Sequence, residues 1–143
     1  MPEERRTERW MLRLETFSKA LGRLRDVIAL SRERPLNEYE RDALIKRYEF
    51  TYEMAWKLMM SFVKENGLEQ IRGSKDIIRE AYRYRLIDNA EPWFEMVELR
   101  DKTVYTYDEE MSTDAVREII ENYYPLLDSL NEQASKIKEE ESN

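Results

Sequence analysis

Four stretches of this chain repeat their apolar residues every three or four positions. The cleanest, Val116, Ile120, Tyr123, Leu127, Leu130, Ala134 and Ile137, makes one continuous face only on an α-helix. The same spacing runs through Trp10, Leu14, Phe17, Leu21, Leu24 and Ile28, through Ile45, Tyr52, Trp56, Met59 and Val63, and through Trp93, Met96, Val97, Val104 and Tyr107. Such helices bury a stripe and solvate the rest, so they must pack on one another. Three glycines and four prolines in 143 residues are too few for the turns of a β-sandwich. The expectation is an all-α, up-down four-helix bundle with a short additional helix. It forms a single domain, 1–143, with an ordered core of about 8–137.

Punctuation sets the boundaries. The first helix should run from about Glu8 to Arg32 and stop before Pro35. Asn37 caps the second, with Glu38 and Glu40 in its first turn, and Gly67 ends it. Gly73-Ser74 breaks the chain, and Ser74 caps a short helix from Lys75 to about Leu86. Asp88 or Asn89 caps the next, which carries Pro92 in its opening turn and ends around Tyr105. The last starts near Ser112 or Thr113 and should kink at Pro125, which has no N–H for the carbonyl of Glu121.

Composition removes several kinds of chemistry. With no cysteine there is no disulfide and no thiolate, and with no histidine the commonest general base and metal ligand is missing. Neither a glycine-rich phosphate loop nor a Ser-His pair is present, so an ordinary hydrolase is not expected. Glu49 and Glu53 lie on adjacent helical positions, but a chain this rich in Glu generates such pairs by chance; no metal and no cofactor are expected. No apolar run is long enough to span a membrane and Met1-Pro-Glu-Glu-Arg does not resemble a signal peptide, which points to a cytoplasmic protein. A net charge of −7 argues against a broad nucleic-acid surface. Lys75, Arg79 and Arg83 nonetheless fall at i, i+4 and i+8, with Arg72 and Arg85 nearby and Tyr82 and Tyr84 interleaved. This ridge is a candidate phosphate contact, set against the plainer account of a solvated helix face.

Two charges stand where the pattern puts core residues. Glu49 lies on the seam of the second helix and Arg100 on that of the fourth. An unpaired charge there is costly, so the two are expected to face each other as an ion pair that supports a cleft, or simply fixes helix register. The second helix also carries Phe50, Met54 and Leu58 as a row away from its main apolar arc. That row is either an association surface or the edge of a wide core arc.

The stretch Leu44-Ile-Lys-Arg-Tyr-Glu-Phe-Thr-Tyr-Glu-Met-Ala-Trp-Lys57, with Gly73-Ser-Lys-Asp-Ile-Ile-Arg-Glu-Ala-Tyr82, Leu86-Ile-Asp88, Trp93, Arg100, Thr106-Tyr-Asp108 and Tyr123-Tyr-Pro125, resembles the nucleotidyltransferase substrate-binding proteins, a branch of the HEPN superfamily. The likeness covers roughly 8–137. It implies a HEPN-like helical bundle, commonly dimeric, whose partner is a small minimal nucleotidyltransferase (MNT), in pairs that resemble toxin–antitoxin modules. Active HEPN ribonucleases carry an Arg, usually an Asn next, a His five residues after the Arg, and often x-Tyr. Here those positions hold Arg100, Asp101, Tyr105 and Tyr107. Arg100 and Tyr107 match; Asp101 and Tyr105 do not, and a tyrosine with a pKa near 10 is a poor proton carrier at neutral pH.

The resemblance thus implies a non-catalytic subunit that binds a minimal nucleotidyltransferase and helps form its substrate cleft, or serves as its target through adenylylation of Tyr107. It also implies a homodimer within a hetero-oligomer, and a nucleotide or RNA as ligand. Two alternatives stand beside it: a metal-independent ribonuclease toxin acting through Arg100 and Tyr105, and a purely structural dimeric bundle.

Overall fold

The computed structural model describes residues 2–67, 70, 73–105 and 108–142, with side chains for all of these except 2–8, 105 and 142. The bundle is all-α, as the periodicity requires. Helix α1 (Pro2–Glu33) turns back through Pro35 into α2 (Glu38–Glu65), the central helix against which every other helix packs. The short α3 (Ser74–Arg83) leads to α4 (Glu91–Tyr105), and the chain returns through α5 (Glu109–Glu118) and α6 (Tyr124–Ser142). Among the described residues no helix is long and apolar enough to cross a membrane.

The core is what the seams specify: Trp10, Phe17, Leu21, Leu24 and Ile28 of α1 meet Leu44, Tyr48, Ala55, Leu58, Met59 and Val63 of α2, all almost fully enclosed. Each such aliphatic or aromatic side chain contributes about 1.5–3 kcal/mol on burial. Trp10 and Phe62 meet edge to face at 5.2 Å, tying α1 to the C-terminal end of α2.

The caps show why the helices start and stop where they do. Asn37 and Glu40 form a capping box, Glu40 N–H donating to Asn37 Oδ1 and Asn37 N–H to Glu40 Oε1, each at 2.9 Å. The Arg34 guanidinium grips the same carboxylate through both oxygens, at 2.8 and 2.6 Å. Gly67, at φ +108°, closes α2 as expected. At the end of α3 the Leu86 N–H reaches the Ala81 carbonyl at 2.9 Å and the Arg85 N–H the Tyr82 carbonyl at 3.0 Å. That is a Schellman motif with arginine, at φ 62°, where glycine is usual.

Several boundaries differ from the expectation. Helix α1 begins at Pro2, earlier than Glu8. Ser74 is the first residue of α3, because extended Gly73 takes the cap position and no side chain caps that end. Helix α5 begins at Glu109 and not near Ser112 or Thr113, since Asp108 accepts the Met111 N–H at 2.8 Å and Glu109 and Glu110 make a dipole-favoured first turn. The expected kink at Pro125 takes a specific form, a π-helical turn over Ile119–Tyr123 that joins α5 to α6. Tyr124 N–H donates to Ile119 O, five residues back, and the wide turn spares the proline ring a clash with the preceding turn. The turn also shifts the register, so Ile119, not Ile120, is fully buried.

The row Phe50, Met54, Leu58 is not an exposed surface. Phe50 is half exposed, but Met54 and Leu58 are buried within the protomer, because α2 is enclosed on several sides by the other helices. The wide core arc is the correct account of the last two.

Candidate functional site

Helix α2 presents Glu49, Tyr52 and Trp56 at i, i+3 and i+7, and α4 brings Arg100 and Thr103 up to them. The junction is fastened from below by Tyr48, whose buried hydroxyl donates to the Met96 carbonyl at 2.9 Å. Above it, Thr103 Oγ1 lies 2.8 Å from Glu49 Oε2 and 3.1 Å from the Arg100 carbonyl oxygen. A hydroxyl has one proton, and the shorter, charge-assisted bond to the carboxylate takes it. Glu49, Thr103, Ile45, Lys46, Asp42 and Met111 line a cleft of about 310 Å³ between α2, α4 and α5.

The expected Glu49–Arg100 ion pair is replaced. Among the described residues Arg100 pairs with Asp101, Nη1 to Oδ1 at 3.2 Å, while Glu49 takes the Thr103 hydroxyl. The reason is exposure: the Arg100 side chain is 38% accessible, so water and its sequence neighbour compensate it without a partner across the core. Asp101, one of the two residues that depart from the HEPN pattern, is therefore the group that occupies the arginine.

Arg100 still acts on buried hydroxyls. Burial raises Tyr52 above its ordinary range; the charge of Arg100 opposes the shift and that of Asp101 adds to it. Tyr48 is raised by burial too, then by Tyr52 and Tyr123, with Arg100 again opposing. Among the described residues, the Tyr52 hydroxyl and the Trp56 indole N–H are both buried without a hydrogen-bond partner. The assembly therefore offers one partly exposed cation, one anchored carboxylate and neutral hydroxyls that cannot ionise near pH 7. It can hold an anionic or polar group at the cleft edge, and the raised Tyr48 and Tyr52 hydroxyls are poor proton carriers at that pH.

The other candidates fall elsewhere. Tyr107 lies outside the described residues, as do Thr106 and Arg72, and Tyr105 is described only as the last backbone position of α4. Lys75, Arg79 and Arg83 share α3, but Arg79 pairs with Asp76 at 3.2 Å and Arg83 with Glu80 at 3.7 Å. Lys75 and Arg79 also sit over the Phe94 ring, 5.9 and 5.5 Å from its centroid, at the N-terminal end of α4. The ridge is thus largely compensated by its own helix. Sequence reasoning missed Thr103, although it follows Arg100 by three residues and so shares its side of the helix. Among the described residues no group of three or more acidic side chains is arranged to hold a metal ion.

Residues 12–136 match the family described as nucleotidyltransferase substrate binding protein like. A crystal structure from Thermus thermophilus is similar, at 32% identity and a TM-score of 0.69, covering 80% of this chain and 94% of that one. HI0074 from Haemophilus influenzae, whose structure is described as revealing the fold of a substrate binding domain of a nucleotidyltransferase, aligns at 26% identity and TM-score 0.76 over 84% of this chain and 97% of that one. A tri-AMPylated Shewanella oneidensis HEPN toxin in complex with MNT antitoxin shares the fold at TM-score 0.72 and 16% identity, over 89% and 96% of the two chains. A probable ribonuclease HepT of Haemophilus influenzae is 34% identical over 70 residues, 46% of this chain; the chain spans about half (48%) of the length of that curated relative.

Proposed function

The chain belongs to the nucleotidyltransferase substrate binding protein like family, and on that premise we propose that it is a non-catalytic HEPN-fold subunit of a minimal nucleotidyltransferase. It contributes the Glu49/Thr103/Arg100 wall of the partner's substrate cleft and presents Tyr107 as a target for adenylylation. It acts as a homodimer within the hetero-complex, with nucleotide or RNA as the ligand of the cleft.

The observation that carries this reading is the Arg100–Asp101 pair in a chain without histidine. Arg100 has a carboxylate 3.2 Å away, which competes with an RNA phosphate, and no imidazole is available to move the proton of an attacking 2′-hydroxyl. General acid–base catalysis is typically worth about 10²- to 10⁴-fold, and its commonest agent, histidine, is missing from the chain. The family match and the likeness to a substrate binding domain of a nucleotidyltransferase support the choice of partner.

Likeness to a probable ribonuclease favours a second reading, a metal-independent RNase working through Arg100 and Tyr105. One pair of experiments separates the two. Co-expression with the nucleotidyltransferase encoded beside this chain should yield a stable complex, and incubation with ATP should add one or more AMP groups at Tyr107 by mass spectrometry. The purified chain should leave single-stranded RNA intact in EDTA. Cleavage that Arg100→Ala abolishes would reject the non-catalytic reading, and failure to co-purify would reject the partner.

A further inference from the structure

We propose that the pocket between the α3–α4 connection and α6 binds the amino-substituted base of a nucleoside or nucleotide, with the Trp93 indole N–H donating to a ring nitrogen of that base. The pocket has a volume of about 320 Å³ and shares no lining residue with the cleft beside Glu49. That volume lies at the small end of the roughly 300–1,000 Å³ of ordinary ligand pockets, which suits a nucleoside.

The chain reversal after α3 builds it. Arg85, at φ 62°, turns the chain so that Leu86 and Ile87 are 1% and 6% exposed, and Gln133 of α6 donates from Nε2 to the Arg85 carbonyl at 3.2 Å. This bond ties the connection to α6, so the two walls are held in place before a ligand arrives. Leu86 from one wall and Leu130 from the other give the lining an apolar body.

The state of Trp93 points to a ligand. Trp93 is 1% exposed and lines the pocket, yet its indole N–H makes no hydrogen bond to any described residue. The indole N–H of Trp56 is sealed from solvent, but that of Trp93 is not, so the trace of surface that Trp93 keeps includes its polar edge. A buried tryptophan usually turns that edge to a partner. Here the edge opens on the pocket, where a seated acceptor would complete it.

The rim selects the acceptor. Asp88 and Glu132 flank the pocket against Lys136 alone, which disfavours an anionic group at the Trp93 N–H, and the N–H itself disfavours a cation. What fits is a neutral group that accepts at one atom and donates at its neighbour. An amino-substituted N-heterocycle does both: a ring nitrogen takes the Trp93 N–H, the exocyclic amine donates to a rim carboxylate, and the flat ring lies between Leu86 and Leu130. Lys136 is left for the phosphate of a nucleotide. The Trp93 ring also meets that of Tyr52 at 6.4 Å, which sets it between this pocket and the α2 wall of the cleft.

Base binding here requires no nucleotidyltransferase, so the test uses the full chain alone. Adenosine is added to ¹⁵N-labelled protein and the assigned indole signals of Trp10, Trp56 and Trp93 are followed by NMR. The Trp93 signal should move downfield and saturate while the other two stay fixed. Inosine, which carries an oxo group in place of the amine, should bind at least about fivefold more weakly, and so should adenosine to Asp88→Asn with Glu132→Gln, both at exposed positions. Ser129→Phe, at an exposed position of the lining, should block binding; the carboxylate variant decides if the phenylalanine does not reproduce the wild-type circular dichroism. Tighter binding of AMP than of a short oligoadenylate assigns a free nucleotide, and the reverse order a base of RNA. A Trp93 signal unmoved by millimolar adenosine and AMP, equal binding of inosine, or undiminished binding to the carboxylate variant would each overturn the proposal.

Discussion

The Thr103 hydroxyl donates to the Glu49 carboxylate at 2.8 Å and so joins the last turns of α4 to the middle of α2. Both side chains are half buried, so the bond is partly shielded from water. Hydrogen bonds to charged groups are worth about 1.5–3 kcal/mol, and this one should lie toward the low end. Thr103→Val, which keeps the shape and removes the donor, should therefore cost about 1–2 kcal/mol in urea unfolding, while Thr103→Ser should cost less. An unchanged midpoint for Thr103→Val would mean the two helices are held by apolar packing alone.

Arg100 is expected to matter little for stability. Breaking a buried ion pair costs about 3–5 kcal/mol, whereas an exposed one contributes at most about 1 kcal/mol. With 38% of the Arg100 side chain and 53% of Asp101 accessible, Arg100→Ala should stay within about 1 kcal/mol of wild type. A loss several times larger, measured by the same unfolding curves, would return Arg100 to the core.

These two residues show where the sequence was legible and where it was not. Seam positions follow from helical period, so the core, the order of helices and the placing of Glu49 and Arg100 on facing helices could all be read directly. The partner of each charge could not, because pairing depends on side-chain exposure and on which short-range neighbour is nearer. Arg100 sits close enough to the end of α4 to be solvated, and Asp101 is adjacent. Ile119 illustrates a second limit. A period of 3.6 puts Ile120 in the core, but a π turn is one residue wider and moves the stripe, and only Pro125 hinted that the period would break. For Met54 and Leu58 the row was real but its meaning was set by how many helices surround α2, which periodicity does not count.

A pH response should arise at the α1–α2 turn. The Arg34 guanidinium, and then the Asn37 N–H, hold the Glu40 carboxyl at about 2, against an ordinary 4.5. A carboxylate depressed on folding contributes stability that is fully present above 4.5 and is lost as the pH falls from there through about 2. Wild type and Glu40→Gln should therefore differ most in unfolding midpoint at pH 6 and converge toward pH 2. A difference that is constant across this range would show that Glu40 acts as a neutral cap only.

Arg85 holds a left-handed conformation at φ 62°, which costs a residue with a Cβ roughly 1 kcal/mol or more that glycine avoids. Its carbonyl also accepts the Gln133 Nε2–H at 3.2 Å, a bond that any residue at this position retains. Arg85→Gly should accordingly stabilise the protein by about 0.5–1 kcal/mol, raising Tm by a few degrees at this size. Arg85→Val, with a branched Cβ, should lower it.

Two tyrosines one turn apart on α2 give the sharpest contrast. Tyr48 spends its hydroxyl on the Met96 carbonyl at 2.9 Å, so Tyr48→Phe leaves a buried acceptor with one bond fewer and should destabilise by about 1 kcal/mol. Tyr52 is 4% exposed and its hydroxyl has no partner among the described residues, so it carries the desolvation cost of a polar group with no return. Tyr52→Phe should therefore be neutral or stabilise the isolated chain by about 1 kcal/mol. The opposite signs come from the same chemical change at positions with the same seam. If Tyr52 is kept for the cleft, the stabilised variant should also lose affinity for the nucleotidyltransferase or its ligand, while Tyr48→Phe loses only stability. Thermal unfolding and pull-down on the two variants side by side decide this. Destabilisation by Tyr52→Phe would mean that its hydroxyl is already satisfied within the folded chain.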